Sequence, residues 1–105
     1  MGLFDEINEL LAAPASGADA PALARVEHTL TTGYARALAL EAERWRLERR
    51  LGELATTPDL DDGSRERIDL AERLDEAAGE LSRLRDLLEP LRTRASALRV
   101  AGATV

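Results

Sequence analysis

From residue 70 to residue 98 the chain carries Leu70, Leu74, Ala77, Leu81, Leu84, Leu88, Leu91, Ala95 and Leu98, spaced alternately four and three apart with no polar interruption. On a helix such positions fall on one stripe, and a repeat of seven winds that stripe along a neighbouring helix as a coiled-coil seam. Ala71 and Ala78 widen it toward the face that a bundle buries. Pro90 stands inside the run. Having no amide hydrogen, it must forfeit the bond to the carbonyl of Asp86, so the pattern predicts a kinked helix that keeps its seam.

A second seam precedes it. Leu23, Leu30, Ala37, Arg44 and Leu51 occupy one core position of the heptad, and Val26, Gly33, Leu40, Leu47 and Leu54 the other. Gly33 and Arg44 are the exceptions to an apolar series. A glycine inside a helix costs about 1 kcal/mol against alanine, so Gly33 marks a weak point or a close approach of helices. The pattern runs from Pro21, which suits a first turn, with Asp19 as a candidate cap, to about Ala55.

Between these helices lies "TTPDLDDGS", residues 56–64, in which Thr57 and Pro58 suit a helix start and Gly63 with the three aspartates suits a tight connection. A calcium loop built on Asp59, Asp61 and Asp62 does not fit. Its glycine falls one position early, and Leu70 stands where the closing glutamate belongs. Upstream, residues 1–12 place Leu3, Phe4, Ile7, Leu10 and Leu11 on one side of a short amphipathic helix. Asp5, Glu6 and Glu9 lie near its start, where acidic groups suit the helix dipole. Pro14, Gly17 and Pro21 make residues 13–21 a linker, and residues 101–105 read as a tail.

The expected architecture is therefore all-α: a long antiparallel helical hairpin over residues 22–100, coiled-coil-like, with a short N-terminal helix. Nineteen leucines and nineteen alanines against three aromatic residues favour helices over strands. Two helices alone bury too little surface to be robust in a chain of 105 residues. The further expectation is a homodimer that pairs two hairpins into a four-helix bundle.

Tyr34, Leu38 and Trp45 fall at intervals of four and seven and form a second stripe on the same helix, with Arg49 one turn beyond the indole and placed for a cation–π contact. This stripe is the expected interface. It would receive either a second copy of the chain or the chain's own Leu3–Phe4–Ile7 helix. The short helix, tethered by its linker, has two uses open to it: capping its own bundle, or docking into a groove of another protein.

Chemistry finds few candidates. There is no cysteine, which removes disulfides and thiolate chemistry together. His28 is a single histidine, and Glu27 and Thr31 beside it make no convincing metal set. Alternating glutamates and arginines from Glu41 to Glu53 are the expected salt-bridged solvent face of a long helix. With no phosphate loop, nucleotide fingerprint or nucleophile elbow, no enzymatic activity, cofactor or metal is expected. All fourteen basic residues are arginine, a usage that suggests a GC-rich bacterial genome.

No run approaches the length of a membrane span, and "MGLFDEINELLAA" is acidic where a secretory signal is basic, so a cytoplasmic protein is expected. The functional expectation is a non-catalytic interaction or scaffolding module that self-associates and presents its N-terminal helix to a partner protein. The alternative is a nucleic-acid-associated accessory protein contacting a polyanion through Arg92, Arg94 and Arg99. A formal net charge of −6 over the chain weighs against it.

Overall fold

A computed structural model describes residues 2–56 and 61–103. It holds three helices, α1 (Leu3–Ala12), α2 (Leu23–Ala55) and α3 (Asp61–Ala103), and no strand among the described residues. The all-helical expectation holds.

α1 opens where the Gly2 carbonyl accepts from the Glu6 amide at 3.2 Å and the Asp5 carboxylate accepts from the Gly2 amide at 3.4 Å. The first is the helix's own opening bond, and the second satisfies the Gly2 amide, which a helix start otherwise leaves unbonded. Beyond α1, Gly17 takes a φ of +91°, which glycine adopts without a steric penalty, and the Ala20 amide closes a turn onto its carbonyl at 3.2 Å. α2 begins later than Pro21. The Ala22 carbonyl accepts from both Arg25 and Val26, leaving Asp19 upstream in the turn rather than capping the helix.

Gly63 lies within α3, not in the connection, and α3 runs on to Ala103 through most of the expected tail. The expected roles of Thr57 and Pro58 fall outside the described residues. α3 also continues unbroken through Pro90. The seam explains the tolerance. Leu88 and Leu91 on either side are buried while the proline ring faces solvent, so burying two leucines at about 1.5 to 3 kcal/mol each offsets the penalty at one exposed position.

The chain divides into two compact units. The first, Met1–Arg36 with Arg83–Val105, contains α1, the first part of α2 and the last part of α3. Its core is Ile7 and Leu10 from α1, Val26, Thr29 and Leu30 from α2, and Leu84, Leu88, Leu91 and Ala95 from α3. α2 and α3 run antiparallel here, since Gly33 meets Leu88 while Glu27 reaches Arg99 at 3.7 Å. The second unit, Ala37–Ser82, is built from the remaining parts of α2 and α3. It buries Ala37, Leu40, Leu47, Leu70, Ala77 and Leu81, and Arg50 binds Glu66 across the two helices at 2.9 Å. The hydrogen bonds to Glu66 and then Glu53 hold the Arg50 guanidinium above its ordinary pKa.

Gly33 proves to be a point of close approach. A methyl group there would overlap Leu88 Cδ2, so the glycine lets a buried leucine press against the α2 backbone. Arg44, the other exception in the α2 seam, is exposed and pairs with Glu48 at 3.1 Å.

Two opposite outcomes are expected in urea unfolding. Pro90→Ala restores a backbone hydrogen bond at an exposed site and raises stability by about 1 to 3 kcal/mol. Gly33→Ala improves helix propensity yet overpacks Leu88, so it lowers stability by about 1 to 2 kcal/mol. In a Leu88→Ala background the same glycine substitution becomes stabilising, which separates steric overlap from propensity.

Candidate interaction surface

In the first unit α1 is tied to both long helices. Ile7 and Leu10 are 0% and 1% exposed, while Leu3, Phe4 and Leu11 are half-buried along the margins of the same contact. Thr29 of α2, 2% exposed, donates its hydroxyl to Glu6 Oε1 at 3.2 Å, and Arg25 reaches Glu6 at 3.6 Å and Glu9 at 3.4 Å. Arg94 of α3 donates to the carbonyls of Leu11, at 3.0 Å, and of Ala13. A helix C-terminus leaves its last carbonyls without intrahelical donors, and α1 has no basic residue in its last turn to supply them. A guanidinium from another helix does so instead.

This internal use bears on the arginine-rich end. Arg94 is half-buried on the α1 carbonyls, Arg99 pairs with Glu27, and Arg92 is exposed. The sequence groups these three only in the alternative reading, as polyanion contacts, and it shows neither the Arg94 clamp nor the buried Thr29. Neither leaves a sequence signal. An arginine that caps a helix far away along the chain looks like any other arginine.

Of the expected interface stripe, Leu38 and Trp45 lie in the second unit and are 66% and 61% exposed. Arg49 stands over the indole at 5.4 Å from the ring centroid, the cation–π geometry anticipated from its spacing. Ile68 on α3 of the same unit is also largely exposed. Gly52, one heptad beyond Trp45, has open space where a side chain would stand. Tyr34 belongs to the first unit and is less exposed, at 43%.

Two open hollows flank α1. One, of about 200 Å³, is lined by Gly2, Leu3, Glu6, His28, Thr29 and Thr32. The other, of about 380 Å³, is a mainly apolar groove between α1 and α3, lined by Phe4, Asn8, Arg83, Asp86 and Leu87. Among the described residues no three histidine, aspartate or glutamate side chains gather as a metal would require, no buried side-chain polar atom lacks a partner, and no helix is long and apolar enough to cross a membrane.

Arg94→Met keeps the apolar stem but removes the donors, so a loss of about 1 to 3 kcal/mol is expected. Hydrogen exchange should quicken first in the α1 amides. Uniform acceleration across all three helices would show instead that Arg94 supports the fold as a whole.

No protein-family model, curated protein or solved structure matches the chain.

Proposed function

We propose that this chain is a non-catalytic helical interaction module that self-associates through the exposed face of its second unit, with Leu38 and Trp45 as anchors. The observation that carries the reading is Trp45, a large aromatic side chain left 61% exposed on α2, with a similarly exposed leucine two turns away. Scattered apolar residues on a surface need no explanation, but Leu38 and Trp45 repeat at two turns on one face of the same helix, which gives a partner two anchors in line. Tryptophan with a neighbouring arginine is also the composition in which binding energy concentrates at protein interfaces. In its simplest form the association pairs two second units across a two-fold axis and completes a four-helix bundle, supplying the burial that two helices cannot supply alone.

Presentation of α1 to a partner protein competes with the packing of Ile7 and Leu10 inside the first unit. The apolar face cannot serve both at once. The self-association proposed here therefore leaves α1 in place and assigns it to completing the first unit's core.

Light scattering over a dilution series tests the reading. The natural chain should exceed its 11.4 kDa monomer mass and approach that mass on dilution. Trp45→Ala should weaken association about tenfold or more with no loss of helical circular dichroism, because the ring contributes little to the folded monomer. A natural chain that stays at 11.4 kDa throughout, or a Trp45→Ala protein that associates as tightly, would overturn it.

A further inference from the structure

The groove between α1 and α3 in the first unit offers a seat for an apolar side chain. Phe4 and Leu87, both half-buried, supply its apolar lining. Arg83 and Asp86 stand on its α3 side and Asn8 on its α1 side, all three exposed. Neither Arg83 nor Asp86 has an ion-pair partner among the described residues. The groove thus joins apolar surface to one unpaired cation and one unpaired anion.

The Trp45 ridge has the matching composition. Arg49 lies over the indole, so wherever the ring is seated a guanidinium arrives beside it. Glu48, three residues after Trp45, is exposed on the neighbouring strip of α2 and bonded to Arg44 at 3.1 Å, an exposed pair weak enough to exchange partners. The ridge therefore offers an apolar ring with a base and an acid within one turn.

The groove offers an aspartate to Arg49 and an arginine to Glu48.

We infer that the Trp45–Arg49 ridge of one copy seats in the Phe4–Leu87 groove of a second copy, with Arg49 paired to Asp86. The inference rests on the self-association proposed above, keeps its tryptophan anchor, and puts a first-unit groove in place of the pairing of two second units. Two such contacts made reciprocally form a closed dimer, and contacts made in one direction build a chain of subunits.

A charge exchange tests it, because both charged groups are exposed and neither lies in a core. Arg49→Asp sets acid against Asp86, and Asp86→Arg sets base against Arg49. Each variant alone should associate about tenfold or more weakly than the natural chain by light scattering, with unchanged helicity. Mixed in equal amounts, they should associate with each other. The ridge of each then meets a groove of opposite charge, so mass should return in the mixture. If Asp86→Arg associates like the natural chain while Trp45→Ala does not, the tryptophan remains an interface residue and the groove is not its seat. If the two variants stay apart when mixed, the Arg49–Asp86 pairing falls. If the natural chain is monomeric at every concentration, the underlying reading falls with it.

Discussion

Everything in this protein hangs on one property of a helix: it buries a stripe, and a stripe needs a surface to lie against. The leucine and alanine seam of α3 supplies the longest such stripe. Seven of its nine members are buried, Leu74 and Leu98 being the half-exposed pair. α2 answers with its own seam, and its one glycine at the crossing lets Leu88 settle against bare backbone. The seam also decides what happens at Pro90. Local propensity would end the helix there, but burial on either side of the proline keeps the chain helical across the missing hydrogen bond.

The two units differ in how they finish their cores. In the first, α1 lays Ile7 and Leu10 onto the hairpin, so residues from three helices share one interior. Polar contacts then hold α1 in place: Thr29 on Glu6, Arg25 on two glutamates, and Arg94 on the carbonyls at its C-terminal end. The exposed ion pairs add little, whereas Arg94 satisfies backbone groups that would otherwise lose water without gaining a donor. Among its described residues the second unit has two helices and no third. Its fully buried residues all lie on the facing stripes, and Leu38, Trp45 and Ile68 remain outside.

Periodicity made most of this legible. The alternation of four and three found both long helices, and the grouping of Pro14, Gly17 and Pro21 separated α1 from α2. The spacing of residues 3 to 11 alone puts Ile7 and Leu10 on the apolar stripe of a short helix. What periodicity cannot carry is the partner of each stripe. Both uses of α1 were compatible with its sequence, because an apolar face is the same whether it packs on its own chain or on another. The Arg94 clamp was illegible for a related reason: its acceptors are backbone carbonyls, which every residue has. Helix limits are less legible: α2 ends at Ala55 as its pattern indicates but starts at Leu23, and α3 takes in Gly63 and runs to Ala103.

Trp45 remains the most informative residue. On a solvent-facing helix position, tryptophan is a poorer helix former than alanine, and its ring gains little from folding while 61% exposed. Arg49 recovers a fraction of that deficit by covering one face of the indole, at about 0.5 to 1 kcal/mol for an exposed pair. The same contact does something else. It fixes a positive charge at the edge of an apolar surface, so any surface that buries the ring must also accommodate the charge. A purely apolar seat would strand the guanidinium, and one lined by arginine with no carboxylate would repel it. The requirement narrows the candidates to apolar surface bordered by a carboxylate, and the groove beside Asp86 has that chemistry within the same chain.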